Sequence, residues 1–310
     1  MEWVRKFKRN IGVKFTFSRY GIGLGVLLSW LPAIFQAEAQ HAHINAGAYE
    51  HYFGAPLVFP NGYLWDTNSY SGVYPACIFM VKDDPNAPLY PGLYQSDASF
   101  TSLPATIFTG GPSIYAAEYG SYLELIVRSV QGPPGGAIGF WQEDDEFEAT
   151  STINLFSIPV GTLNGTNRFN LTQSPEEGGW ENDPYGHVHG RRFTANKPGL
   201  YTVGVQAIDT SHAGPGGAPN HSPSLTNYFY FQAGLVVQFL KKTNNAAVVR
   251  FGLQGFKDYY LETSTNLSST NWMMVAREAG ASHSDLHTMV DTNATNATRF
   301  YRVRETPLQF

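Results

Sequence analysis

Cysteine is almost absent from the chain: Cys77 is the single one among 310 residues. A disulfide framework within the chain and a zinc site built from clustered cysteines are both excluded. Positive charge is also scarce, with 20 Lys and Arg against 25 Asp and Glu and a formal net charge of −5. Because nucleic-acid binding draws on a surplus of basic side chains to neutralise phosphates, we expect no nucleic-acid partner.

Long amphipathic patterns with the period of a helix are missing as well. Aromatic and β-branched runs recur instead between turn residues, and the chain holds 31 glycines and 19 prolines. This pattern predicts an all-β fold, an antiparallel β-sandwich. In residues 199–208 the alternation places Tyr201, Val203 and Val205 on one bulky face. The other strand-like runs are 55–59, 72–81, 122–130, 137–141, 152–159 and 228–239.

Residues 1–39 have the layout of a secretory signal peptide. A basic segment precedes the apolar run 20–35, and Ala37-Glu38-Ala39 matches an A-x-A cleavage signal. The apolar run is shorter than the ~20 residues of a membrane-spanning helix, although an uncleaved anchor is the alternative. No second run of spanning length follows, so we expect an exported protein of the periplasm or cell surface whose mature form has no transmembrane segment.

Charge is distributed unevenly along the predicted mature chain. Residues 40–240 carry 6 basic and 17 acidic side chains, whereas residues 241–310 carry 8 and 6. Seven of the nine histidines lie in the acidic part. An acidic, histidine-bearing domain with a single cysteine favours cations, although acidity also serves solubility alone. The acidic run 143–146 and the pair Arg191-Arg192 are predicted to be solvated.

Two His-x-His pairs carry the clearest chemical signal. His41 and His43 open the predicted mature chain, and His187 and His189 follow about 145 residues later. Residues i and i+2 of a strand point to the same side, so each pair presents two imidazoles together. Two pairs on neighbouring strands can hold one ion tetrahedrally at about 2.0–2.1 Å. Zinc, copper, nickel and iron suit imidazole; the alternative is surface histidines on edge strands.

A glycine- and proline-rich loop supplies a fifth candidate ligand. His212 and His221 stand at its two ends, directly after the strand-like run that ends at Ile208. Such a loop can fold over a site on neighbouring strands, which makes His221 a candidate metal ligand. Asp209 is a candidate ligand or an acceptor that fixes an imidazole. The alternative is an exposed loop with solvated histidines.

The segment 187–203, HVHGRRFTANKPGLYTV, is the most informative motif. It resembles the H-x-H-x-x-x-F-T-x-x-x-P-G-x-Y-T-V signature of two related groups of exported bacterial proteins. One group is surface-anchored and encoded beside zinc- or manganese-type transporters; the other is a zinc-binding family repressed by the zinc uptake regulator, which this chain resembles more. The resemblance covers most of 40–235. It implies zinc ligation by His41, His43, His187, His189 and His221, and a zinc ABC transporter or its binding protein as partner.

The C-terminal residues 246–306 form a separate pattern after the polar basic stretch 241–245. Tyr259-Tyr-Leu-Glu-Thr-Ser264, Asn271-Trp272 and Phe300-Tyr-Arg-Val303 resemble the small β-sandwich module at the C-termini of exported verrucomicrobial and planctomycetal proteins. The predicted organisation is therefore a signal peptide at 1–39, a metal-binding β-sandwich at 40–240 and a small β-sandwich module at 246–306.

These features predict an exported, non-enzymatic protein that scavenges, stores or hands over Zn²⁺. One alternative is a Cu²⁺ protein whose mature chain begins with His41, which requires cleavage after Gln40. The other is a carbohydrate-binding or adhesive surface protein that uses exposed tyrosines and tryptophans.

Overall fold

The computed structural model describes residues 43–50, 52–62, 77–83, 88–96, 98–103, 114–143, 150–172, 191–243, 245–254, 257–280, 285–295 and 298–307. These residues form eighteen strands, one 3-10 turn at Pro215–Gly217 and no α-helix, which confirms the predicted all-β class. No helix in this part of the chain has the length and apolar character needed to cross a membrane. The predicted signal peptide lies outside the described residues.

The strands follow one another along the compact unit His41–Phe310. Their bounds are β1 His43–Ala48, β2 Leu57–Val58, β3 Ile78–Lys82, β4 Tyr94–Ser96, β5 Ser99–Ser102, β6 Leu123–Gln131, β7 Ala137–Glu143, β8 Thr152–Pro159, β9 Arg168–Asn170, β10 Arg191–Ala195, β11 Gly199–Asp209, β12 Asn227–Ala233, β13 Val237–Lys242, β14 Ala247–Leu253, β15 Lys257–Ser264, β16 Met273–Glu278, β17 Asp285–Asp291 and β18 Phe300–Pro307.

The first twelve strands form two sheets around one core. A nine-stranded sheet has the order β8-β7-β10-β4-β3-β12-β11-β6-β9, and a three-stranded sheet has the order β2-β1-β5. Ile44 and Phe100 of the smaller sheet belong to the same buried cluster as Phe193 and Phe229 of the larger one. The two sheets therefore pack face to face in a sandwich-type arrangement.

Alternation of side chains explains how β11, an interior strand of the larger sheet, packs against the core. Tyr201, Val203 and Val205 are buried, as the sequence pattern predicts, and Ala207 continues the buried face. Burying an aliphatic or aromatic side chain of this kind contributes about 1.5–3 kcal/mol. β11 pairs antiparallel with β12 and β6. Two other pairs, β1–β5 and β12–β3, are parallel. The sequence predicted an antiparallel sandwich, so the arrangement differs from the prediction in these two pairs.

The last six strands form two further three-stranded sheets, β13-β14-β17 and β16-β15-β18, around a second core. The chain enters these sheets earlier than the predicted boundary at 241–245, because β13 already pairs with β14. The predicted run 228–239 is broken at Gly234, whose φ of +67° favours glycine. A Cβ there would also lie 2.9 Å from the ring of Tyr94.

Buried amide side chains join the C-terminal sheets to the nine-stranded sheet. The Gln232 side chain is fully buried, and its Nε2 donates to the carbonyl of Gly252 at 3.2 Å. The Nε2 of Gln238 donates to the Oε1 of Gln232 at 2.7 Å, and the Nε2 of Gln254 donates to the carbonyl of Met80 at 3.3 Å. These bonds satisfy polar groups that would otherwise be costly to bury.

Three carboxylates of the C-terminal sheets have a pKa below the ordinary range. The hydrogen bond from Arg277 lowers the pKa of Asp258. Burial raises the pKa of Glu262 and of Asp291, but hydrogen bonds outweigh it in both cases. The donors are the side chains of Arg302 and Arg304 for Glu262, and the backbone of Asn293 with the side chains of Tyr301 and Arg299 for Asp291.

We expect the contribution of Asp291 to stability to disappear in acid. A pKa lowered by folding stabilises the native state fully above the unfolded value, about 3.9 for Asp, and the benefit is lost as the pH falls below it. Asp291→Asn should therefore lower the free energy of unfolding at pH 7, and the difference from the unmodified chain should shrink toward pH 3. Urea titrations at both pH values measure this, and an equal difference at the two would contradict it.

Candidate functional site

The predicted histidine cluster falls largely outside the described residues. His41, His187 and His189 lie there, and His43 is described by its backbone as the first residue of β1. Within the part of the chain that the structure describes, no three His, Cys, Asp or Glu side chains are grouped so that they could hold a metal. The two His-x-His pairs therefore remain predictions. The structure does describe the strands next to them in sequence, β1 and β10.

The starts of β1 and β10 both lie at the connection between β4 and β5. In the parallel pairing of β1 with β5, His43 is the Cα partner of Ser99. Ser99 comes three residues after Ser96, the last residue of β4, and Ser96 is the Cα partner of Phe193 in β10. The rings of Phe100 and Phe193 are in edge contact, with centroids 5.3 Å apart. Both strands therefore start at the same end of the sandwich.

A buried ionic cluster fixes the first residues of β10. Glu143, at the end of β7, is only 5% exposed, and its Oε1 accepts hydrogen bonds from the Tyr90 hydroxyl at 2.8 Å and the Arg192 Nε at 2.9 Å. Burial raises the pKa of Tyr90, and the bond to Glu143 raises it further, so the hydroxyl stays protonated. Glu143 is thus buried and paired with the partly buried Arg192, whereas the sequence predicted both to be solvated.

Two polar atoms near these strand starts are buried without a hydrogen-bond partner among the residues that the structure describes. They are the Oε2 of Glu143 and the hydroxyl of Ser99. A buried polar atom left unpaired costs about 1–3 kcal/mol. A carboxylate beside a metal site commonly accepts the free N–H of a ligating imidazole, and a hydroxyl oxygen can accept it as well. Both atoms are available for such a bond.

His221 is buried and holds together three segments that are distant in sequence. Its Nε2 accepts a hydrogen bond from the backbone N–H of Glu118 at 2.8 Å, and its Nδ1 lies 3.1 Å from the carbonyl of Ala55. The first bond requires a bare Nε2, so the ring is neutral and donates from Nδ1 to Ala55. Neither ring nitrogen is left for a metal. His221 therefore differs from its prediction as a ligand: in this conformation its role is structural.

Asp209 organises the backbone around His221. Its Oδ2 accepts the N–H of His221 at 3.1 Å, and its Oδ1 accepts the N–H groups of Tyr122 at 3.0 Å and Ser211 at 2.9 Å. The carboxylate is 6% exposed, and these three donors compensate its burial. Asp209, predicted as a candidate ligand or as an acceptor that fixes an imidazole, thus anchors the loop by accepting three backbone N–H groups. His212, in contrast, is exposed and contacts the carbonyl of Gly217 at 3.0 Å.

A scan of this chain against protein-family models and a search among curated proteins both find no match.

Proposed function

We propose that the protein is an exported zinc-binding protein in which His41, His43, His187 and His189 supply the ligands. It scavenges, stores or hands over the ion outside the cytoplasm, and a zinc transporter or its binding protein is the recipient. His221 is left out of the ligand set, since both of its ring nitrogens are engaged by backbone groups.

One observation carries the proposal: β1 and β10 start beside the same β4–β5 connection. His43 pairs with Ser99, and Phe193 pairs with Ser96 three residues earlier. His189 precedes Phe193 by four residues, a length of chain that spans at most about 14 Å. Each histidine pair is thus a short length of chain away from a strand that starts at this connection, which supports a shared site. Four imidazoles without a thiolate suit a tetrahedral zinc ion.

The experiment is metal analysis of residues 40–310, purified without a tag and dialysed against micromolar zinc. We expect one zinc ion per chain, lost in His187→Ala/His189→Ala and in His41→Ala/His43→Ala. Because the ligands must be neutral imidazoles, binding should weaken as the pH falls below about 6.5. Inductively coupled plasma mass spectrometry gives the stoichiometry, and competition with a chelator gives the affinity.

His287→Gln is the matched control, since His287 lies in β17 of the C-terminal sheets and contacts Glu278. It should keep the full zinc content. A chain that stays metal-free, or one that binds zinc equally well after both double substitutions, would refute the proposal.

Copper is tested in the same way, together with mass spectrometry of the mature N-terminus. A chain that begins at Gln40 argues against a copper site formed by an N-terminal histidine.

A further inference from the structure

The sheet β16-β15-β18 presents a row of arginines on its outer face. Tyr259 and Leu261 of β15 are fully buried in the second core, so Tyr260 and Glu262 point the other way. Tyr260 is the Cα partner of Arg277 in β16 and of Arg304 in β18, and Glu262 is the partner of Arg302. The side chains of these three arginines are 50%, 42% and 46% exposed, respectively.

Aromatic rings and carboxylates hold the guanidinium groups in place. The guanidinium of Arg304 lies 4.2 Å from the centroid of the Tyr260 ring, and that of Arg302 lies 4.5 Å from the Trp272 ring. The buried carboxylate of Glu262 accepts the Nε of Arg302 at 2.7 Å and the Nε of Arg304 at 2.9 Å. Side chains fixed in this way lose little further entropy when they bind a ligand.

Charge on this face is only partly compensated. Glu262 neutralises one of the two arginines it contacts, while Arg277 is paired with Asp258 at 2.7 Å. Arg302 and Arg304 bond Glu262 through Nε, so their terminal amino groups have no hydrogen-bond partner among the described residues. Arg302 and Arg304 are two residues apart on one strand, so their Cα atoms are about 6.8 Å apart. A guanidinium fork binds carboxylate or sulfate oxygens in pairs.

We propose that this face binds a linear acidic polysaccharide through Arg277, Arg302 and Arg304, an interaction independent of the zinc site. Three strands form a strip about 10 Å wide, which suits one extended chain with spaced anionic groups. Residues 40–240, with 17 acidic and 6 basic side chains, oppose every polyanion. They oppose duplex DNA, with one charge per about 1.7 Å, more strongly than a polymer whose charges are further apart. The charge of the strip complements the sparser anion.

The test is affinity electrophoresis of residues 40–310 in native gels that contain polygalacturonate, with dextran as the neutral polymer. We expect retardation by polygalacturonate alone, and its loss as salt is raised, since salt screens exposed charges. The triple variant Glu262→Gln/Arg302→Gln/Arg304→Gln removes the two arginines without leaving a buried unpaired carboxylate. Its affinity should fall about tenfold or more.

Two controls separate this face from charge in general and from the zinc site. Arg168→Gln removes an exposed arginine paired with Glu124 in the nine-stranded sheet and should keep full retardation. His187→Ala/His189→Ala should also keep it, whatever its zinc content. Any of four results would overturn the proposal. The triple variant could keep full retardation, or dextran could retard the chain equally. Duplex DNA could bind as tightly as polygalacturonate, or the chain could self-associate in the absence of polymer.

Discussion

Replacing His221 by alanine should lower the free energy of unfolding by about 3 kcal/mol. The substitution leaves the N–H of Glu118 without its acceptor, and a buried unpaired group costs about 1–3 kcal/mol. The carbonyl of Ala55 loses its ring donor but still accepts the N–H of Ser222 at 3.3 Å. Loss of a ring that is 97% buried adds a packing defect. Urea unfolding followed by tyrosine and tryptophan fluorescence measures the loss.

His212→Ala is the matched control, because His212 is the exposed histidine at the other end of the same loop. Its unfolding free energy should stay within about 0.5 kcal/mol of the unmodified chain. His221→Gln, which can still donate and accept, should fall between the two. A His221→Ala variant as stable as the His212→Ala variant would contradict the structural role.

The same variant distinguishes the structural role of His221 from the ligand role that the sequence predicts. Where His221→Ala is still folded, it should keep the zinc content of the unmodified chain, while His187→Ala/His189→Ala should lose zinc with little loss of stability. If His221→Ala lost zinc while keeping its full stability, His221 would belong to the ligand set after all.

Local side-chain patterns are sufficient to predict the all-β class. The alternation in β11 places Tyr201, Val203 and Val205 in the core, because a half-buried strand must show apolar residues at every second position. Gly234 marks where this logic fails: the apolar run 228–239 continues across it, yet the backbone turns there and the chain enters another sheet. Apart from Gly234 itself, no residue in the run 228–239 indicates that the backbone takes a positive φ there.

The roles of His221 and Glu143 could not be predicted in the same way. His221 bonds to residues 166 and 103 positions away, and Glu143 to residues 53 and 49 positions away. A single charged or imidazole side chain in a turn-rich segment is usually solvated, so only the tertiary contacts reveal its burial. The signal that was available is the aromatic residue nearby in sequence: Trp141 precedes Glu143, and its ring packs edge-on against Tyr90.

Arg192→Met should lower the free energy of unfolding by about 3 kcal/mol, the low end of the range for a buried ion pair, because the Arg192 side chain is 21% exposed. It leaves the Glu143 carboxylate buried without its cation, and breaking a buried pair from one side is costly in this range. Adding Glu143→Gln removes the uncompensated charge and should recover part of the loss. A double-mutant cycle in urea measures the coupling, expected at about 1–3 kcal/mol; additive single effects would show that the pair does not hold β10.

The zinc affinity of these variants connects the fold to the proposed site. Arg192 follows His189 by three residues, so loosening the start of β10 increases the entropy that must be lost when the histidines are ordered around the ion. We expect affinity to fall in the order of stability: the unmodified chain binds most tightly, the double variant less tightly, and Arg192→Met most weakly. Measurements belong at a temperature where all three are folded. If folded Arg192→Met kept its zinc affinity, zinc binding would not depend on the start of β10. The ion would then not lie at the end of the sandwich where β1 begins.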